Sequence, residues 1–137
     1  VNTAVDTNVF LDVLVGVEPQ ASASASALRE ARARGGLLLS EPVFAELAAA
    51  FDDDAERLAA FLGAVGAVLV PSDAEVLIEA GRRWRASTRS SGARRRILPD
   101  YWIGAHAIRH ANALLTRDRG FVRAGFAGLE VWDPTVG

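Results

Sequence analysis

The chain has 137 residues, half of them hydrophobic and 23% charged, which is one domain's worth at roughly 100–200 residues per domain and a globular composition. It has no cysteine and no lysine, all fifteen basic residues being arginine. Disulfide frameworks, thiolate zinc sites, cysteine nucleophiles, P-loop phosphate binding and Schiff-base chemistry are thereby excluded, while the net charge of −2 does not by itself mark a nucleic-acid binder.

In chain order, Asn2–Val5 reads as a short buried strand and Thr7–Val15 as a helix stopping near Gly16. A second helix over Ala21–Arg34 ends at Gly35-Gly36, since glycine tolerates the backbone that closes a helix. Leu37–Leu39 is a buried strand. Ser40 caps a helix through Phe51, with Glu41 and Pro42 in its first turn. Asp52–Asp54 cap the next helix, to about Leu62. Ala67–Val70 is a strand. Ser72, with Glu75 three residues on, has the spacing of a capping box and opens a helix over about Asp73–Ser87. Ser90–Arg96 is a loop, Pro99 opens a helix to about His110, Ala113–Leu115 is a strand, Arg119–Arg123 a short helix and Leu129–Trp132 a last strand.

Short apolar strands alternating with longer helices predict an α/β fold. It is an α/β/α sandwich around a short parallel sheet of about four to five strands, in a single domain over residues 1–137. The longest uncharged run, Leu58 to Ser72, is too short to span a bilayer. No basic segment precedes an apolar run at the start of the chain. A soluble cytoplasmic protein, not bound to a membrane, is the expectation.

In an open parallel sheet, ligands bind beyond the carboxyl ends of the strands. Asp6 follows the first predicted strand. Ser40 and then Glu46 follow the second. Asp100 opens the helix before the fourth, and Thr116 and Asp118 follow that strand directly. Each acid has a bland reading as well: Asp6 as a helix cap, Glu46 as a surface residue, Asp100 as a first-turn acid meeting the helix dipole, and Asp118 as a turn residue before Gly120. Their convergence on one sheet edge is what points to a site. Clustered carboxylates repel unless a cation or a shared proton intervenes, and oxygen-only ligands suit Mg²⁺ or Mn²⁺ acting on phosphate groups.

The blocks "AVDTNVFLD", "EPVFAELA", "LPDYWIGAHA" and "ALLTRDRGF" resemble the four acidic motifs of PIN-domain nucleases, in the family's order, over about Asn2 to Trp132. The small single-domain form is similar to the VapC toxins of bacterial toxin–antitoxin pairs. The resemblance implies that Asp6, Glu46, Asp100 and Asp118 hold Mg²⁺ or Mn²⁺, and that Asn8 and Thr116 shape the site. It implies hydrolysis of RNA phosphodiesters by in-line attack of water, with metal charge stabilising the leaving oxygen. A cognate antitoxin partner, an exposed apolar groove to receive it and a homodimer are implied by the same resemblance. Two other readings stand beside it: a catalytically silent binding module of the same fold, and a housekeeping RNA-processing nuclease or one acting on DNA.

Arg82 to Arg96 holds seven of the fifteen arginines and no acid. Arg82, Arg83, Arg85, Arg94, Arg95 and Arg96 are candidates for contact with RNA phosphates, with Trp84 as a stacking surface if exposed. The same run also fits a solvated helix end. Arg117, between Thr116 and Asp118, is placed to touch substrate phosphate or to hold a carboxylate. His106 and His110 are four apart on one helix, but Ala107 stands where a zinc protease has its glutamate. Solvated or hydrogen-bonded histidines are the expectation there. Asp100, Gly104, Ala107 and Ala111 fall on one helical stripe, and a small residue at 104 lets that helix lie close to the sheet.

Overall fold

The computed structural model describes residues 1–89, 98–123, 126 and 128–136. Five three-residue strands, β1 (Thr3–Val5), β2 (Leu37–Leu39), β3 (Ala67–Leu69), β4 (Ala113–Leu115) and β5 (Glu130–Trp132), form one sheet in the order β3-β2-β1-β4-β5. Every pairing is parallel. β1, β2 and β4 are buried throughout, as expected of strands covered on both faces. The alternation of strands and helices is thus the parallel α/β/α architecture the sequence predicts.

The helices are α1 (Thr7–Val15), α2 (Gln20–Arg34), α3 (Glu41–Ala50), α4 (Ala55–Val65), α5 (Ala74–Arg89), α6 (Leu98–His110) and the short α7 (Gly120–Arg123). Two successive crossovers run outward from β1 to β3 and the next returns to β4. With right-handed connections, α1 to α4 therefore cover one face and α5 and α6 the other. The packing agrees: α1 lies on α2 and α3, α5 on α6, and α6 against β1 and β4. Phe10, Leu39, Leu47, Leu114 and Phe121 fill the core.

Element ends follow local chemistry. Gly16 and Gly66 close α1 and α4 in left-handed conformations, at φ 75° and 83°, where a side chain is strained. Asp54 caps α4 by accepting from the Arg57 amide at 3.2 Å, while Asp52 and Asp53 take left-handed backbone just ahead of it. Ser40 occupies the cap position of α3, but its hydroxyl makes no cap bond.

The expected capping box at Ser72 is replaced by a different arrangement. Asp73 makes the cap bond, accepting from the Val76 amide at 2.9 Å. Ser72 instead turns toward α3: its amide and hydroxyl donate to the two carboxylate oxygens of Glu41 at 2.7 and 2.6 Å. Trp102 of α6 donates its indole N–H to the same hydroxyl at 2.9 Å. A bidentate acceptor one strand away outcompetes Glu75, and the result ties α3, the β3–α5 connection and α6 together. Burial raises the Glu41 carboxyl, but the two bonds from Ser72 outweigh it and hold the group below its ordinary range.

The stripe on α6 also resolves differently. Gly104 faces an aromatic ring: a Cβ there would lie 2.2 Å from Phe126 Cε1. That ring is fixed by Tyr101 and Phe121, with ring centroids 5.6 and 5.5 Å away. What the missing side chain admits is therefore Phe126, while Ala107, wholly buried, faces the core.

Candidate active site

The strand order reverses direction between β1 and β4, and that switch point is where the carboxyl ends of neighbouring strands leave a crevice. Asp6 and Thr116 stand at its two sides. The Asp6 amide donates to Leu115 O at 3.0 Å, one step beyond β1, and the Thr116 amide to Trp132 O at 2.9 Å. The sheet ladder thus fixes the backbone on both sides before any side chain is considered.

Thr116 is the hub. Its hydroxyl donates to Asp6 Oδ2 at 2.7 Å and accepts from the Asp118 amide at 3.0 Å and from Asn8 Nδ2 at 3.2 Å. A hydroxyl has one proton and two lone pairs, and all three are used. Asp6 Oδ1 caps α1 by accepting from the Thr7 amide at 2.8 Å, so the cap reading and the site reading of this residue both hold. Asn8 Nδ2 also reaches Asp6 Oδ2 at 3.4 Å, and Asn8 Oδ1 accepts from the Arg117 amide at 3.1 Å. Asp118 Oδ1 accepts from the Gly120 amide at 2.8 Å, which forms the expected turn and fixes one of its two oxygens.

Asp6 is buried. Burial pushes its carboxyl above the ordinary aspartate value, against the bonds from Thr116 and Thr7, and the charges of Glu46 and Asp118 push it further in the same direction. Glu46 and Asp118 are therefore each within electrostatic reach of Asp6. Glu46 is exposed and Asp118 half-buried. Asp100 stands half-buried in the first turn of α6, which packs against β1 and α3, the elements that lead into Asp6 and carry Glu46. Among the described residues, no three His, Asp or Glu side chains are already gathered closely enough to cage an ion. The donor chemistry nonetheless fits a hard divalent cation: carboxylate oxygens only, one of them buried and repelled by two like charges.

Arg117 holds a carboxylate. Its Nε and Nη2 donate to Asp12 Oδ2 and Oδ1 at 2.7 and 2.8 Å. Asp12, a buried residue of α1, was not singled out from the sequence. The available signal is its position four residues after Asn8, on the same helical face of an otherwise apolar segment.

Of the arginine run, Arg82 and Arg83 both pair with Glu79 on α5, the latter through Nε at 2.8 Å. Arg83 also lies over the Phe126 ring, 5.1 Å from its centroid. The acid just upstream of the run thus engages its first two cations. Arg85 lies exposed on the same helix, as does Trp84. Arg94, Arg95 and Arg96, and the Ser90–Arg96 loop, lie outside the described residues. His106 is buried and its Nε2 meets Val70 O at 2.6 Å; a carbonyl only accepts, so Nε2 carries the proton.

A groove of 880 Å³ opens from Thr116 and Asp118 between α2 and β5. Arg34 lies over the Trp132 ring on its wall, 5.2 Å from the centroid, and Arg119 lines it 3.7 Å from Asp133. Neither arginine stood out in the sequence, because α2 and β5 meet only in the fold.

The comparisons with known proteins say which family builds this parallel sheet with acidic side chains at its switch point. The chain belongs to the PIN-domain family, whose model matches residues 3–127. Similar solved structures include VapBC2 from Rickettsia felis bound to a DNA fragment from its promoter, at 18% identity and TM-score 0.72, covering 97% of this chain and 98% of that one. FitAcB from Neisseria gonorrhoeae is similar at 21% identity and TM-score 0.72, covering 98% and 99%. VapC20 from Mycobacterium tuberculosis, a toxin that cleaves the sarcin–ricin loop, is similar at 15% identity and TM-score 0.61, covering 93% and 98%. At these identities the likeness is one of fold. No curated protein sequence matches significantly. Among the described residues, no helix is long and apolar enough to cross a membrane.

Proposed function

We propose that the protein is a divalent-metal-dependent endoribonuclease and the toxin of a toxin–antitoxin pair. The observation that carries this reading is the buried Asp6 carboxylate, held at the switch point by Thr116 and pressed by the charges of Glu46 and Asp118. A buried carboxylate with like charges near it is costly unless a cation offsets them. Asp6, Glu46, Asp100 and Asp118 are the residues that would hold Mg²⁺ or Mn²⁺. When bound, the ion would supply positive charge to polarise the scissile phosphate and to ease deprotonation of the attacking water.

The chain's own residues do the rest. Thr116 and Asn8 hold Asp6 Oδ2 and the Thr7 amide holds Oδ1, so that the carboxylate keeps one direction. The Gly120 amide does the same for Asp118. The groove beside Asp118 offers a path for a single strand, with Arg34 and Arg119 as phosphate contacts and Trp132 as a stacking surface. Arg82, Arg83 and Arg85 remain candidates for more distant contact with RNA, although the first two already share Glu79.

The partner and assembly readings rest on the family and on fold neighbours that include toxin–antitoxin complexes. An antitoxin that covers exposed apolar side chains such as Leu14, Val15 and Val17 at the end of α1, a homodimer and a cytoplasmic setting belong to this proposal.

The test is cleavage of total cellular RNA in Mg²⁺ or Mn²⁺, with an EDTA control and an Asp6→Asn variant, followed by mapping of the cut ends. Discrete cuts that both controls abolish are expected. Intact RNA in every sample, with no stabilisation of the protein by Mn²⁺, would favour the silent-module reading instead.

A further inference from the structure

Arg117 is the residue on which the site's two halves meet. Its amide donates to Asn8 on α1 at 3.1 Å, and its guanidinium forms a two-bond fork with Asp12, one turn further along the same helix. Asn8 and Asp12 are four apart and so share one face. The Asp12 carboxylate is held from behind as well, because Ser24 of α2 donates its hydroxyl to Oδ2 at 2.7 Å. Three elements far apart in sequence, α1, α2 and the turn after β4, thus converge on one buried acid.

We infer that the Asp12–Arg117 pair is a positioning clamp, which sets the Thr116–Gly120 turn against α1 so that Thr116 and Asp118 face Asp6. Its use in catalysis rests on the nuclease reading above. Thr116 and Asp118 flank Arg117 directly, so a shift of the Arg117 backbone moves both. β4 ends at Leu115, and the sheet ladder fixes the chain no further than the Thr116 amide. Beyond it, the orientation of the turn depends on side-chain bonds, of which the fork with Asp12 is the only one that is both charged and bidentate among those described. A planar fork fixes direction as well as distance, which a lysine ammonium does not. Asp12 takes the Nε–Nη2 edge of the guanidinium, and in the clamp this arginine acts through Thr116 and Asp118.

The clamp is tested by amide hydrogen exchange on the full chain, comparing the wild type with Asp12→Asn and Arg117→Lys. Asp12→Asn keeps the shape of its side chain and Arg117→Lys keeps its charge, and each breaks the fork. The amides of Arg117, Asp118 and Gly120 are expected to exchange about tenfold faster or more in both, while those of β4 stay unchanged. Single-turnover RNA cleavage is expected to slow at least tenfold with KM within twofold, and Mn²⁺ binding to weaken. Unchanged exchange at the three amides overturns the clamp, as does full protection in Arg117→Lys. Equal acceleration in β4 overturns it too, since the pair would then be a general stability bond. A raised KM with an unchanged cleavage rate would make Arg117 an RNA contact and overturn it equally. If the wild type cuts no RNA, the nuclease reading fails by itself, and the exchange result still decides the clamp.

Discussion

Thr116 donates its hydroxyl proton to Asp6 Oδ2 across 2.7 Å, although 110 residues separate them. The Thr116 hydroxyl oxygen itself accepts from Asn8 Nδ2 and from the Asp118 amide. Replacement by valine keeps the shape but removes the short bond to Asp6 Oδ2 and the hydroxyl acceptor of the Asp118 amide, and leaves Asp6 Oδ2 and Asn8 Nδ2 only their longer mutual contact at 3.4 Å. Unpaired buried groups cost about 1–3 kcal/mol each, less where water can enter. Thr116→Val is expected to lower the unfolding free energy by an amount in that range and to slow RNA cleavage by tenfold or more, whereas Thr116→Ser stays close to wild type. Urea unfolding and single-turnover cleavage of the three proteins check this.

The Asp6 carboxyl is raised by burial and then by the charges of Glu46 and Asp118. Removing either charge should lower it. In the ion-free protein, Glu46→Gln and Asp118→Asn are each expected to move the Asp6 titration toward lower pH, read from the carboxyl carbon chemical shift. A titration unmoved by either change would mean that the acids do not share one site.

His106 carries a different pH dependence. Burial depresses the histidine, the neighbouring His110 adds to this, and the bond to Val70 and the charge of Glu41 work the other way; the net shift is downward. A base with a depressed folded value binds fewer protons folded than unfolded. Its stabilising contribution is full above the unfolded value of about 6.5 and is lost as pH falls from there through the folded value. The facing ionisable groups are His110 on the same helix and Glu41 on α3. Thermal unfolding between pH 7.5 and about pH 5 should show a fall in Tm that is smaller in His106→Gln.

Gly104 and Phe126 make the clearest steric prediction. A methyl group at 104 meets a ring held by two other aromatics. Gly104→Ala is expected to destabilise by about 1–3 kcal/mol through overpacking, despite alanine's better helix propensity. Chemical denaturation reads this directly, and a gain in stability would show that Phe126 is free to move.

The fold was legible because its signals are local. Leu37–Leu39 and Ala113–Leu115 are apolar runs too short for helices, and Gly16 and Gly35 mark helix ends one residue past the last turn. The places of Asp6, Thr116 and Asp118 at the sheet edge were legible for the same reason, since strand ends mark the switch edge of a parallel sheet. Ser72 misled because a capping box is a local pattern, and its real partner, Glu41, is 31 residues away. Asp12 was missed because an acid inside an apolar helix has meaning only once Arg117 and Ser24 are seen to converge on it. The Arg34–Trp132 contact is likewise a product of packing, as α2 and β5 carry no shared pattern.

The central claim is that Asp6, Glu46, Asp100 and Asp118 together form one site for a divalent cation. The most direct measurement is Mn²⁺ titration of the purified protein at neutral pH, followed by Tm and by calorimetry. Binding to the folded state alone stabilises by RT ln(1 + [L]/Kd), about 2.7 kcal/mol at a hundred times Kd. The account predicts saturable stabilisation of the wild type, strongly reduced in Asp6→Asn and weakened in Glu46→Gln, Asp100→Asn and Asp118→Asn. Stabilisation that is absent in the wild type, or that persists undiminished in Asp6→Asn, would contradict it.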